Sequence, residues 1–407
     1  MIMRALWPIA CFVLFVNSAI SQTDVMQARH DRIKVLNRKG DYAQAIKELE
    51  AQVLSATAPP WNDSLWKYVY PLGHAHWKVH GASAGAKAAE DLCRHIHAIG
   101  SAPTFEINAL IKLSALYYDL SMMQEYERVS ARALALAERN KADIPPLLLG
   151  DALYTMALVH QDMGRPAQAL PLFVKAVEVA RGMKSDPLFR TASYCNALGS
   201  IYNTLGRIRD AERTFEEGIA ATEKDISMHA LSSKVALLGN WAIAVQGTGD
   251  LPRCKELYFE SLRTVDRMMA VAADDPQAML SARLDRTALH LNLSTVYFSM
   301  ADFQRARQYL DLTLRERQEL LGNDHVKVIE LNEAMAEIEA MSGNYAGAEE
   351  LLREQIDMVA ANMGRESEQY AKLHSDLARM VLKQGRLVEA DSLYSVMIPT
   401  EPSVLAS

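Results

Sequence analysis

One histidine-rich segment contains the residues whose spacing comes closest to that of a metal site. The stretches GHAHWKVH and CRHIH place His76 and His80, and also Cys93 and His97, four residues apart. On a helix, this spacing puts two ligands on one face, as a zinc site requires. If the two stretches form an antiparallel helix pair, however, the two ligand pairs lie out of register along the helix axis. We therefore expect neither a metal nor another cofactor here.

Reactive groups elsewhere are few. Beyond the first 21 residues, Cys93, Cys195 and Cys254 remain, an odd number that is not typical of a disulfide framework. Cys195 and Cys254 fall on predicted buried helix faces, where a thiol acts as a small apolar group. The sequence contains no glycine-rich phosphate loop, no GxSxG elbow and no HExxH pair. We predict no catalytic residue and no enzyme activity.

Composition and charge restrict the class of protein further. Of 407 residues, 50% are hydrophobic and only 7% aromatic, and no Val/Ile/Thr-rich alternating run stands out. This favours an all-α protein. The net charge is -7, with acidic and basic residues interspersed. Nucleic-acid binding needs a basic stripe to neutralise phosphates, and none is present, so we expect no nucleic-acid partner.

The first 21 residues are typical of a secretory signal peptide. Arg4 supplies the positive charge, Ala5 to Val16 form the apolar run, and Ala19 and Ser21 are small residues placed as a signal peptidase requires. We predict cleavage near Ser21/Gln22, export to the periplasm or cell envelope, and no membrane insertion afterwards. The alternatives are an uncleaved anchor, although the apolar run is short for a membrane span, and a weaker lipoprotein site at Cys11.

A repeated skeleton organises the rest of the chain. In the stretch LGSIYNTLGRIRDAERTFEEG, residues 198–218, small, glycine and aromatic residues mark two helices and the turn between them. One small residue of the second helix recurs with steps of 42, 43, 52, 42 and 42, at Ala169, Ala211, Cys254, Ala306, Ala348 and Ala390. The long step indicates an insertion near 270–285.

Weaker marks extend the array toward the N-terminus. Gly40, Tyr42 and Ala45 repeat the pattern, and two degenerate units fill roughly 63–98 and 104–139. We count nine units and divide the chain into four parts. These are a signal peptide (1–21), about three degenerate repeats (22–140), about six clear repeats (141–398) and a C-terminal tail (399–407).

Each mark has a physical role. Small residues such as Gly199 and Ala211 let two antiparallel helices approach closely. Larger residues such as Tyr202 and Phe215 fill the space between one hairpin and the next. Gly206 follows the first helix, where glycine most easily adopts a left-handed conformation. Because a single hairpin cannot bury both of its faces, stacked neighbours must supply the missing core.

This skeleton resembles the tetratricopeptide repeat family, with a period closest to the kinesin-light-chain style of the repeat. The resemblance is clearest over residues 149–398. It implies a right-handed α-solenoid, in which the first helix of each hairpin lines a concave groove. Family members commonly bind extended peptides or partner helices in that groove.

The resemblance also assigns groove positions in this sequence. Asn196, Ser200 and Asn203 share one face of a first helix, and an amide there can both donate to and accept from a peptide backbone. Asn240 and Asn292 occupy the corresponding position in the next two units. The ninth unit departs, with Asp376 at that position and Arg379 nearby as further groove residues, and Ala334 in the eighth interrupts the row. The alternative is that these asparagines are ordinary solvated residues.

The sequence thus predicts an exported, non-enzymatic scaffold that binds proteins or peptides through the concave face. Two alternatives remain open, a periplasmic sensory module that binds a small solute or peptide to switch a partner, and an envelope assembly factor. A cytosolic peptide receptor is disfavoured by the signal peptide. The pattern leaves the partner's identity and the oligomeric state open.

Overall fold

The computed structural model describes residues 32–33, 36, 39–55, 61–99, 102–183, 189–322, 325–362 and 364–395. Throughout these ranges the regular structure is helical, which confirms the predicted all-α class. The predicted signal peptide and C-terminal tail lie outside the described residues. None of the described helices is both long enough and apolar enough to span a membrane.

The chain forms two compact units, residues 1–186 and 187–407. This division lies within the clear repeats (141–398). It differs from the boundary at residue 140, which the sequence analysis places between degenerate and clear repeats. From residue 40 onward, the described part of the first unit contains one 3-10 helix, Trp61–Tyr68, and seven α-helices. These helices are α1 (Tyr42–Ser55), α2 (Val69–His80), α3 (Ala82–Ala98), α4 (Pro103–Asp119), α5 (Met123–Arg139), α6 (Pro146–Asp162) and α7 (Pro166–Arg181).

The second unit contains ten described helices. They are α8 (Arg190–Thr204), α9 (Ile208–Ala220), α10 (Met228–Gln246), α11 (Leu251–Val271), α12 (Pro276–Ser299), α13 (Phe303–Leu321), α14 (Val326–Met341), α15 (Tyr345–Asn362), α16 (Glu368–Lys383) and α17 (Leu387–Ser395).

Neighbouring helices pack in pairs. In the described part of the first unit, α2 packs on α3, α4 on α5 and α6 on α7; in the second unit, five pairs run from α8 with α9 to α16 with α17. Within each unit, the second helix of one pair also packs on the first helix of the next. This stacking is that of an α-solenoid and confirms the predicted hairpin architecture.

The small residues act as the sequence suggested. A Cβ atom added to Gly199 would lie 2.6 Å from the Phe215 ring, so only glycine allows α8 and α9 this close approach. Phe215 itself is fully buried. The second repeat, a degenerate one within the first compact unit, also brings its two helices close together by means of glycine, at Gly73 and Gly85. A Cβ added to Gly85 would lie 2.6 Å from the Gly73 carbonyl oxygen.

The turn after each first helix requires a left-handed residue. Gly206 has a φ of +72°, as predicted. Glycine adopts this conformation without strain because it has no Cβ atom to clash with the backbone. The equivalent residue of the seventh repeat is Ala301, which adopts the same left-handed conformation with a φ of +58°. An alanine there carries the steric strain that glycine avoids.

The 52-residue step is accommodated by longer helices. Helix α11 has 21 residues and α12 has 24, and only the short connection at 272–275 separates them. Helix α12 carries Arg283 and Arg286, whose guanidinium groups donate to the buried carboxylate of Glu316 on α13, from Arg283 Nε at 2.8 Å and from Arg286 Nη2 at 2.5 Å. A buried ion cluster therefore stabilises the elongated hairpin.

Candidate functional site

The first helices of the second unit share one solvent-facing stripe. Each of these helices has one small residue that packs against the second helix of its pair. The stripe consists of the residues six and two positions before that packing residue and one and five positions after it. Those packing residues are Gly199, Ala242, Ser294, Ala336 and Ala378. The four positions follow helical spacing, so they lie on one side of each helix. Almost all are exposed or half-buried, and we call this stripe the first-helix face.

Over three hairpins the first-helix face has no charged side chain. Its residues in α8, α10 and α12 are small or neutral, with Ile243 the one large side chain among them. They are Ser193, Ala197, Ser200, Thr204, Ala236, Asn240, Ile243, Gly247, Ala288, Asn292, Thr295 and Ser299. Small side chains leave the helix backbone accessible, and neutral ones do not select a partner by charge.

The last two hairpins differ sharply. In α14 the same face carries Glu330 and Glu337, and in α16 it carries four polar residues, Lys372, Asp376, Arg379 and Lys383. Between α14 and α16 lies a groove of 690 Å³, with these charged groups on both sides and Ala340, Met341 and Met380 among its apolar lining. The predicted site residues Asp376 and Arg379 are already paired with each other, Nη2 to Oδ1 at 2.7 Å.

The first helices α8 and α10 contact each other directly. Asn240 Nδ2 on α10 donates a hydrogen bond to Asn196 Oδ1 on α8 at 2.9 Å. Both side chains are half-buried. Two of the predicted groove asparagines are therefore brought together across neighbouring hairpins. Each amide keeps further hydrogen-bonding capacity, since the bond uses one donor of Asn240 and one acceptor of Asn196.

The other predicted residues occupy different environments. Ser200 Oγ donates to the Asn196 carbonyl at 2.9 Å within α8. Asn203 and Asn292 are half-buried, and no side-chain hydrogen bond joins either to another described residue. Asn196 also lies three residues before its packing residue, Gly199, whereas Asn240 lies two before Ala242. Asn196 is thus one position off the row that the sequence assigned to it.

The histidine-rich segment does not assemble a metal site. His76 Nε2 lies 3.3 Å from Glu50 Oε1, His97 Nδ1 lies 3.1 Å from Glu106 Oε2, and Cys93 Sγ donates to the Ala109 carbonyl at 3.8 Å. Each potential ligand thus has a different neighbour. Across the part of the chain that the structure describes, no three His, Cys, Asp or Glu side chains are grouped to hold a metal ion.

The thiols of Cys93 and Cys254 are weakly reactive near neutral pH. Burial raises the pKa of the Cys93 thiol to about 12 and that of Cys254 to about 11. Cys195 and Cys254 are fully buried, as predicted from their positions in the repeat. A thiol with so high a pKa is almost entirely protonated near neutral pH and is a poor nucleophile.

The sequence analysis assigned Asp376 and Arg379 of this groove to the binding face but did not predict its acidic side, Glu330 and Glu337. A signal for that side was available, because the 42-residue period superposes Glu330 on Lys372 and Glu337 on Arg379. These pairs stand on adjacent helices and give the groove one acidic and one basic side. The charge of this face therefore changes from negative in the eighth repeat to mostly positive in the ninth, a change that the asparagine positions do not reveal.

Comparison with known proteins agrees with this architecture. A family model described as tetratricopeptide repeat matches residues 148–224 and 285–358. No curated protein matches the sequence significantly.

The solved structures similar to this chain include the following three. A signal transduction ATPase with numerous domains from Pyrococcus horikoshii, which has a tetratricopeptide repeat sensor, is 12% identical with a TM-score of 0.55, over 87% of this chain and 51% of that one. The apo form of RapI is 11% identical with a TM-score of 0.51, over 83% and 96% of the two chains. BtubC (BKLC) from P. vanneervenii is 18% identical with a TM-score of 0.48, over 60% and 94%. At these identities the likeness concerns the fold.

Proposed function

Because the chain belongs to the tetratricopeptide repeat family, in which non-catalytic protein interaction is the general role, we propose that it is a binding scaffold of the cell envelope. Its partner is a protein or an extended peptide segment. The binding surface is the first-helix face of the second unit, which is the concave side of the superhelix that the sequence predicts. No step of chemistry is required of the chain.

The observation that carries this proposal is the amide pair of Asn240, which lies on the first-helix face, and Asn196, which lies one position beside that face. Their hydrogen bond of 2.9 Å fixes two side chains from successive first helices next to each other. Asn196 retains its Nδ2 donors and Asn240 retains its Oδ1 acceptor, so the pair offers both kinds of group. A peptide backbone presents the complementary carbonyl and amide at each residue.

The surroundings of the amide pair support backbone recognition. The first-helix face of α8, α10 and α12 is neutral and made mostly of small side chains, which let a peptide approach closely. A rigid stack of helices loses little conformational entropy when it binds, so even a few hydrogen bonds contribute usefully to affinity. Recognition of this kind discriminates weakly between peptide sequences.

Export is the second part of the proposal. It is supported by Arg4, the apolar run from Ala5 to Val16 and the small residues Ala19 and Ser21. We expect protein recovered from the envelope fraction of the source cell to begin at Gln22. N-terminal sequencing checks this, and an N-terminus at Met1 on a membrane-bound chain would contradict it.

The experiment that tests the function is affinity capture from that envelope fraction. Wild-type bait is compared with N196A/N240A/N292A and with a matched triple variant of exposed second-helix residues, R209A/E216A/E354A. We expect the same proteins on the wild-type and control baits and their loss from the asparagine variant. Equal recovery on all three baits would show that binding uses another surface.

The manner of association separates the scaffold from its alternatives. A partner bound constitutively and as part of a multiprotein complex supports assembly. Association that appears only after addition of a solute or peptide supports sensing. If no bait captures a protein in either condition, the scaffold proposal is wrong.

A further inference from the structure

A second candidate site lies in the first unit, far in sequence from the first-helix face. It is a cavity of 510 Å³ bounded by α3, α4 and α5. Its apolar lining comes from Ala109, Leu110 and Leu113 of α4 and from Val129 of α5, all of them buried. A partly exposed thiol, that of Cys93 on α3, completes this lining. We call this space the arginine-lined cavity, for the groups at its rim.

Three arginines line its two sides. Arg94 is on α3, whereas Arg128 and Arg132 are four residues apart on α5 and share one face of that helix. Arg94 is paired with Asp91, and Arg132 Nη2 lies 2.6 Å from Glu106 Oε1. Arg128 is exposed, and no hydrogen bond or ion pair joins it to another described residue.

The carboxylates at the rim are already occupied. Glu106 accepts from Arg132 and lies 3.1 Å from His97 Nδ1, and Glu90 accepts a hydrogen bond from the buried Tyr117 hydroxyl. Arg94 and Arg132 are paired with Asp91 and Glu106, whereas no carboxylate of the described residues forms an ion pair with Arg128. Arg128 is the cation left for a ligand.

We propose that the arginine-lined cavity binds a free anionic amphiphile, an aliphatic chain that ends in a carboxylate. The aliphatic chain lies on Leu110, Leu113 and Val129, where it is removed from water. The carboxylate accepts from the guanidinium of Arg128, whose planar donors match it in a bidentate geometry. Charge complementarity thus selects an anion over a neutral or cationic chain of the same length.

Cys93 provides a direct readout of occupancy. Its side chain lines the cavity and is partly exposed, whereas Cys195 and Cys254 are fully buried and serve as internal controls. A ligand that fills the cavity covers the thiol and slows its alkylation. Because the reaction of Cys93 is slow, it is followed over hours at one fixed alkaline pH and assigned to each cysteine by peptide mass mapping.

The test uses the full chain with decanoate as the probe and decanol as its uncharged match. We expect decanoate to slow Cys93 alkylation in a saturable manner, and decanol to require about tenfold higher concentration, since it lacks the charged hydrogen bond. R128A should weaken decanoate protection by a similar factor. R139A, which changes an exposed arginine of α5 outside the cavity lining, should not.

Three results would overturn the proposal. These are equal protection by decanol and decanoate, no protection at any concentration in a folded chain, and protection only by phosphatidylglycerol vesicles, which would indicate a membrane surface. The asparagine triple variant should bind decanoate normally. Failure of this site therefore leaves the proposed scaffold function intact, and failure of the scaffold leaves this site intact.

Discussion

Asn240 on α10 donates a hydrogen bond of 2.9 Å to Asn196 on α8, which links two successive hairpins by their side chains. The bond is half-buried, so it contributes to stability as well as to the proposed binding surface. Its energetic contribution can be separated from that of each residue alone.

We expect a double-mutant cycle of N196A and N240A to give a coupling free energy of about 1 kcal/mol, the usual net value of one hydrogen bond. Urea unfolding monitored by circular dichroism measures it. The pair N203A and N240A, whose side chains share no hydrogen bond, is the control and should be additive. A coupling indistinguishable from zero for Asn196 and Asn240 would show that the bond is not maintained in solution.

Gly199 should be intolerant of even one added methyl group. Because its Cβ would lie 2.6 Å from the Phe215 ring, we expect G199A to destabilise the protein by about 2 kcal/mol, as overpacking does. Gly239 on α10 is the matched control, since an added Cβ there meets nothing within 4 Å. G239A should stabilise by about 0.5 to 1 kcal/mol through helix propensity. Equal effects of the two substitutions would contradict the close approach of α8 and α9.

Replacing Ala301 by glycine should stabilise the protein. Its φ of +58° is strained for alanine, so we expect A301G to raise the free energy of unfolding by about 1 kcal/mol. At Gly206, with a φ of +72°, G206A should lower it by a similar amount. Thermal unfolding of the two variants measures this difference. A destabilising A301G would mean that the turn after α12 is not left-handed.

Glu316 should make stability depend on acid pH. Burial acts to raise the pKa of this carboxyl, but hydrogen bonds from Arg286 and Arg283 outweigh it and hold the pKa below 4.5. A folded-state pKa below the unfolded one stabilises the protein above about pH 4.5, and this stabilisation is lost as pH falls through the folded-state pKa.

We therefore expect E316Q to destabilise the protein by about 2 kcal/mol at pH 7, because two arginines lose their buried partner. The difference from wild type should shrink as the pH is lowered below about 4. E319Q is the control, since the Glu319 side chain is 68% exposed and its ion pair with Arg283 contributes little. An E316Q penalty that stayed constant from pH 7 to pH 3 would be inconsistent with a charged Glu316.

The helices and turns could be predicted from the sequence because each depends on residue types at nearby positions. The left-handed turn at Gly206 and the close approach at Gly199 each depend on one residue type at one place in the repeat. The same marks identified Cys195 and Cys254 as buried. Helices therefore could be placed without any knowledge of how the hairpins contact each other.

The site could be predicted only in part, because its geometry depends on side chains from different hairpins. The asparagine row was assigned by analogy with a family, and Asn196 proved to be one position off that row while still contacting Asn240. The insertion expected near 270–285 contains the connection at 272–275, but the sequence did not show that the added residues also lengthen α11 and α12. Arg283 and Arg286 of α12 bind the buried Glu316 of α13, a contact that periodicity does not show.

The most direct test of the scaffold function is site-specific photo-cross-linking in the source cell. A photoreactive residue is placed at Ala236 or Ala288, exposed on the first-helix face, and in a separate control at Ala270, exposed on the second helix α11. We expect a covalent adduct with the same partner from Ala236 and Ala288 and none from Ala270. An adduct from Ala270 alone, or equal adducts from all three positions, would contradict binding through the first-helix face.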